Sequence, residues 1–433
     1  MKTTRRNLLL GGLAAGAVSS AFLLKPKDRG ADHTPYFRQL SKALDDDEIS
    51  TPSLVIDQQK LRSNIATLKR HIGKRFDYRI VAKSLPSIPL LRLIMEEADT
   101  NRLMLFHQPF LSQVAEEIPG ADVLMGKPMP VAAARTFYDR LANNNNSDNS
   151  ASDNKGFDPA RQLQWLVDSS ARLQQYQSLA EQLGTTLRIN IELDVGLHRG
   201  GVQNDPEFVE MLHLIESSEQ LSLAGLMGYE PHVAKVPGDK IGHRNNAMAQ
   251  YQHYITLAEQ TLGRSIQDLT LNAGGSPTYQ FYDEGNFPHN ELAAGSCLVK
   301  PTDFDLPSLA DHTAASWIAT PVIKALDKTE IPGVEGLGSL MSAWNPNRRQ
   351  TFFTYGGYWK AKPESPSGLS TNPVYGRSTN QEMYNGSASI NLNQDDWIFL
   401  RPTQSEFVFL QFGDLIIVEG EKVIGRWPIL KNT

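Results

Sequence analysis

Residues 78–87, YRIVAKSLPS, carry a strand-like run that ends at Lys83, about 30 residues after another strand-like run, TPSLVID at 51–57. Helical periods follow both. Leu61, Ile65 and Leu68 fall on one helical face after the first run, and Leu90, Leu91, Ile94 and Met95 on another after the second. Strand, helix, strand, helix is the signature of a parallel α/β sheet. In a (β/α)8 barrel the carboxyl ends of the strands carry the chemistry. A lysine there can condense with an aldehyde, although most strand-end lysines are solvated charges, and Lys83 alone leaves both readings open.

The same alternation continues outward. Further strands are expected at 102–106, 122–125, 163–167, 187–193, 221–227 and 268–272, which with 51–57 and the lysine strand make eight. The fold expected is therefore α/β, a TIM-type (β/α)8 barrel over 50–309. Residues 143–156, NNNNSDNSASDNKG, interrupt the repeat with small polar residues and read as a disordered surface insertion. Residues 25–47 read as a polar linker. Beyond about residue 310 the helical periods give way to WIATPVIKAL (317–326), TFFTYGGYW (351–359), DWIFLRP (396–402) and DLIIVEG (414–420), which predict a smaller all-β domain over 310–433. Between these runs, 360–376 reads as a loop rich in proline, glycine and serine.

The chain has 433 residues, of which 40% are apolar and 21% charged, enough for two domains with sizeable cores. A net charge of −6, with no basic block beyond the extreme N-terminus, argues against nucleic acid as a partner and for a small molecule. Cys297 is the only cysteine, so neither an intrachain disulfide nor a thiolate zinc cluster is available. Residues 1–26 place Arg5 and Arg6 before the apolar run 8–24 and read as a twin-arginine export signal, with a periplasmic destination. That run is short for a bilayer, so membrane attachment is expected only if the signal is retained as an anchor. Cleavage at the end of the apolar run, before Lys25, removes Lys2, Arg5 and Arg6 and takes the charge from −6 to −9.

The order of motifs resembles the fold-type III pyridoxal phosphate enzymes, which include alanine racemases, D-threonine aldolases and D-serine dehydratases. The resemblance rests on 51–65 (TPSLVIDQQKLRSNI), VAKS (81–84), IELDVGLHRGGV (191–202), GLMGYEPH (225–232), LNAGGSPTY (271–279) and ELAAGSCLVKPTDFD (291–305), with a matching tail. It covers roughly residues 50 to 430. It implies a barrel that binds pyridoxal 5′-phosphate, with Lys83 as the Schiff-base residue. It also implies a homodimer in which each site borrows residues from the partner's β domain.

The candidate residues follow. Gly274, Gly275, Ser276 and Thr278 offer backbone amides and hydroxyls for a phosphate, although a plain strand-to-helix turn uses similar residues. Arg199, beside Gly200 and Gly201, is expected to reach the cofactor's phenolic oxygen or a nearby carboxylate; a salt-bridged rim arginine is the alternative. Tyr229 and His232 are candidates near the ring, whereas His107 and His198 read as satisfied polar residues. In the aldolase and dehydratase branch a histidine and, two residues on, a cysteine or aspartate hold a divalent metal. This chain has Gln404 and Glu406 at those places, which puts a usual zinc site in doubt. Glu406, or Tyr358 of the segment TYGGYWKAK, is then expected as the second acid or base.

The activity implied is pyridoxal phosphate chemistry at the α-carbon of a small amino acid, with cleavage or dehydration of a D-amino acid preferred. The alternatives are a racemase using Tyr358 and a noncatalytic carrier of the cofactor.

Overall fold

The computed structural model describes residues 25–147, 156–330 and 332–431. The arginine pair and apolar run of the expected signal lie outside the described residues, as do 148–155 of the polar insertion; residues 143–147 continue the helix Val131–Ser147. The chain divides into two compact units, one of residues 56–316, 403–419 and 424–433, the other of residues up to 55, 317–402 and 420–423.

In the larger unit eight parallel strands close a barrel: β2 (Asp77–Val81), β3 (Arg102–Leu105), β4 (Asp122–Met125), β5 (Leu163–Val167), β6 (Leu187–Leu193), β7 (Leu221–Gly228), β8 (Thr270–Ala273) and β9 (Glu291–Ala294). The expected number is right, but one member is not. The strand β1 (Ser53–Asp57), expected as the first stave, stays out of the ring, and β9 closes it against β2, Asp77 to Ile80 pairing with Glu291 to Ala294. The run Glu-Leu-Ala-Ala is short and has no β-branched or aromatic residue, so its sequence does not announce a strand. Its pairing compensates: the Tyr78 hydroxyl donates to the Ala294 carbonyl at 2.9 Å.

Helices follow the strands as the spacing predicts. Asp57 caps the helix Gln58–Ile72 by accepting from the Lys60 amide at 3.0 Å. Leu61, Ile65 and Leu68 are buried on it, and Leu90, Leu91 and Ile94 on the helix Ile88–Ala98, with Met95 only partly covered. Inside the barrel a polar layer lies among the apolar ones. Buried Arg79 forks onto Glu291 at 2.6 and 2.9 Å, Arg102 reaches Glu291 at 2.7 Å, and Asn272 donates to it at 2.8 Å. Paired this way, the buried charges and amides satisfy one another.

The smaller unit is a sheet of antiparallel strands, with β10 (Ser316–Leu326) paired to β11 (Gln350–Thr354) and to β15 (Trp397–Pro402). Two segments depart from expectation. Residues 25–47 are not a linker: Pro35–Asp46 is a helix that buries Phe37, Leu40, Ala43 and Leu44, an i, i+3, i+6, i+7 stripe hidden among charged neighbours. Phe37 packs its ring 5.0 Å from Phe399 and 5.8 Å from Trp317. The expected loop 360–376 contains β12 (Ala361–Ser365) and β13 (Ser370–Thr371). Pro363 is tolerated because β12 pairs only with β15, as an edge, and shifts register there. The helix Glu335–Trp344 occupies a stretch with no sequence assignment.

Candidate active site

The carboxyl ends of the barrel strands enclose a cavity of about 550 Å³, its open mouth included. Its lining comes from the barrel unit alone and includes Lys83, Phe106, Arg199, Tyr229, Ser276 and Glu406. Lys83 sits in the single 3₁₀ turn Ala82–Ser84 that follows β2. Its Nζ lies 4.4 Å from the centre of the Phe106 ring and 2.9 Å from Oε1 of Glu406. Gly126, just past β4, makes room for that ring, since a Cβ there would stand 2.4 Å from it. Lys83 is thereby held between an aromatic face and a carboxylate.

The loop after β6 carries Arg199. Buried Asp194 shapes this loop by accepting from the amides of Gly196 at 3.0 Å and His198 at 2.9 Å, and from Nδ1 of His198 at 2.8 Å. Burial pushes its pKa up, but the His198 and Gly196 hydrogen bonds outweigh that and hold it below the usual range. His198 therefore serves loop geometry. Arg199 then lays its guanidinium 5.0 Å from the Tyr229 ring centre. Behind it, burial pushes Glu192 up to about 7, helped by the neighbouring charge of Asp168 and opposed by Arg199. Burial also pushes Tyr229 up to about 12.

The turn after β8 has the form an oxyanion requires. Gly274 has φ +78°, a conformation that favours glycine, and a Cβ on Gly275 would come within 2.7 Å of Tyr229. The Ser276 hydroxyl oxygen accepts from the amides of Gly295 and Cys297, both at 3.1 Å, so its proton is left to donate elsewhere. Among the described residues the amides of Gly275, Ser276 and Ser296 have no acceptor, and all three residues line the cavity. Three amides without an internal acceptor, beside a serine hydroxyl, match a phosphate group.

The remaining candidates go elsewhere. Thr278 does not line the cavity; its hydroxyl donates to buried Glu230 at 2.7 Å. Gln404 does not line the cavity and donates its amide to Asp303 at 3.0 Å, whereas Glu406 pairs with Lys83. Among the described residues no group of three or more His, Cys, Asp or Glu side chains is gathered for a metal ion. Tyr358 belongs to the smaller unit, with φ +58°, its amide donating to Glu382 at 2.7 Å and its ring beneath Arg377. His232 packs against Gly196, and His107 precedes the helix Gln108–Glu117 with its ring against Phe110. Buried Cys297 has its thiol pushed up to about 12 by desolvation. Glu192 and Glu230 were not singled out from the sequence. Both stand inside quoted motifs, but nothing in a linear pattern marks a carboxylate as buried.

A parallel eight-strand barrel with a lysine, an arginine and a glycine turn at one rim defines the class, and the comparisons agree with it. The family described as alanine racemase, N-terminal domain, matches residues 150–302. The 3-hydroxy-D-aspartate aldolase of Paracoccus denitrificans is 24% identical over 140 residues, 32% of this chain and 35% of that protein. The match thus spans about a third of that relative's length. Among solved structures, D-threonine aldolase from Filomicrobium marinum superposes with a TM-score of 0.68 at 16% identity, covering 88% of this chain and 95% of that one. Alanine racemase from Bacillus anthracis does so with a TM-score of 0.64 at 12% identity, covering 88% and 98%. The fold is that of these enzymes.

Proposed function

We propose that the chain is a pyridoxal phosphate enzyme acting at the α-carbon of a D-amino acid, with lyase chemistry as its reaction. The observation that carries this reading is the gathering, in one cavity, of Lys83 paired with Glu406, Arg199 over Tyr229, and a turn with unpaired amides at Gly275 and Ser276. When bound, the cofactor withdraws electrons from the substrate's α-carbon and so weakens its bonds. Lys83 would hold the cofactor's aldehyde carbon, the Gly274–Ser276 turn its phosphate, and Arg199 its ring. Phe106 covers one side of the amine, its ring centre 4.4 Å from Nζ, while Tyr229 backs Arg199.

The Lys83 amine then moves a proton at the substrate's α-carbon. Glu406, 2.9 Å from that amine, orients it and can exchange a proton with it. Retro-aldol cleavage and elimination of water both need a group that handles the proton of a β-hydroxyl. Glu406 is the carboxylate on this cavity placed to do so. A β-hydroxy-D-amino acid is therefore the favoured substrate, in keeping with the names of the aldolase relatives.

Racemisation is the second reading. It draws on the family match and on Tyr358, whose preceding residue must be glycine: a Cβ at Gly357 would stand 2.2 Å from Cβ of Glu382. The homodimer and the exported location belong to the same proposal, the first resting on the family resemblance and the second on Arg5, Arg6 and the apolar run after them.

The test is the visible spectrum of purified protein beside Lys83→Ala, before and after borohydride, followed by a panel of D- and L-amino acids with and without chelator. A band that reduction removes, absent from the variant, with turnover of β-hydroxy-D-amino acids, supports the lyase. The same band with no turnover favours a cofactor carrier. No band after adding pyridoxal phosphate sinks the cofactor reading.

A further inference from the structure

Glu230 is the third residue of the GYEPH segment, past the end of β7, and no part of its side chain reaches solvent. A carboxyl group in such a place is costly unless its oxygens are used. Both are. Oε2 accepts from the Gly274 amide at 3.2 Å and Oε1 from the Thr278 hydroxyl at 2.7 Å, so one side chain grips the first and the last residue of the segment Gly274–Thr278. The segment closes on itself as well, the amides of Thr278 and Tyr279 both donating to the Gly275 carbonyl at 2.9 Å. Its outer side rests on the preceding residue, Tyr229, which leaves no room for a side chain on Gly275.

Within this clamp the amides of Gly275 and Ser276 are the ones left without an acceptor among the described residues. We propose that Glu230 is the positioning residue of the phosphate subsite, holding the turn in the one form that keeps those amides unpaired. This rests on the pyridoxal phosphate reading above and adds how the site selects a phosphate ester over the same aldehyde without phosphate. Burial pushes the Glu230 carboxyl above its usual range, which lessens the negative charge it sets beside an anion.

The experiment titrates the cofactor-stripped full-length protein with pyridoxal phosphate and, separately, with pyridoxal, following the visible band. Pyridoxal offers the same aldehyde to Lys83 and nothing to the turn. Loosening the turn in Glu230→Ala is expected to weaken pyridoxal phosphate binding by about tenfold or more and pyridoxal by less than about twofold. Glu230→Gln keeps an oxygen for the Gly274 amide and an NH₂ for the Thr278 oxygen, and is expected to stay within about threefold of wild type for both ligands. Thr278→Val removes one side of the grip with little change in volume. It is expected to lose phosphate preference in the same sense as Glu230→Ala, which keeps the test decisive if Glu230→Ala does not fold.

Equal weakening of both ligands, or an unchanged preference in Glu230→Ala and Thr278→Val, would show a merely structural carboxyl and overturn the proposal while leaving the cofactor reading intact. Wild type that binds neither aldehyde overturns the cofactor reading, and this inference with it.

Discussion

Lys83 and Glu406 meet at 2.9 Å while each side chain remains about a third exposed, 35% in both cases. Solvent screening makes such a pair worth little as a stabilising contact, so its interest lies in chemistry. Glu406→Gln keeps the shape and an acceptor oxygen but cannot take up a proton. It is expected to retain the visible band and lower kcat by about 10² to 10⁴, read from steady-state rates beside the spectrum. Tyr358→Phe separates the two reactions: it should spare lyase turnover, and loss of turnover there, with Glu406→Gln still active, would favour racemisation. Lys83, Arg199 and the glycine turn were legible because each occupies a short motif at a strand end. Thr278 misled because a hydroxyl in a phosphate-like motif can as well serve the turn itself. Glu192 and Glu230 were illegible because burial is a property of the folded barrel.

Among the elements, β9 is the instructive one. All seven of the expected barrel strands after β1 match within a few residues, since apolar runs of four to seven residues bounded by helical periods have one reading in an α/β chain. β9 has four residues and no propensity of its own, and it takes its place through partners that lie far away in sequence. Glu291 is the strongest of these links, held by Arg79, Arg102 and Asn272. The helix Pro35–Asp46 escaped for a related reason, its apolar stripe being hidden by a polar average. Glu291→Gln would remove one of the two carboxylates that pair with buried Arg79, leaving Asp122 at 2.8 Å as the other. The expected cost is roughly 3 kcal/mol, measured as a lowered midpoint of urea unfolding with an unchanged slope. A midpoint equal to that of wild type would mean that the ring closes without this pair.

For the barrel unit as a whole, three buried groups set how stability changes with pH near 5.5, and they work in opposite directions. Burial lowers His289 to about 3 and His312 to about 4, so near pH 5.5 each is neutral when folded and protonated when unfolded. Unfolding there takes up two protons, which makes stability rise with pH. Burial raises Glu192 to about 7, so near pH 5.5 it is protonated when folded and ionised when unfolded. Unfolding releases that proton, which offsets about half of the uptake. Wild type is therefore expected to gain about 1.4 kcal/mol of stability per pH unit near pH 5.5. Glu192→Gln removes the releasing group and leaves the uptake of two protons unopposed. Its stability should rise about twice as steeply, by about 2.7 kcal/mol per unit. At lower pH the sign comes from Glu291 and Asp194, whose folded values are depressed: the stability they supply above their unfolded pKa is lost as pH falls through the folded one. Urea unfolding at half-unit steps from pH 4 to 8, for wild type and Glu192→Gln, checks both statements. Parallel curves for the two proteins would show that Glu192 does not carry a proton in the folded barrel.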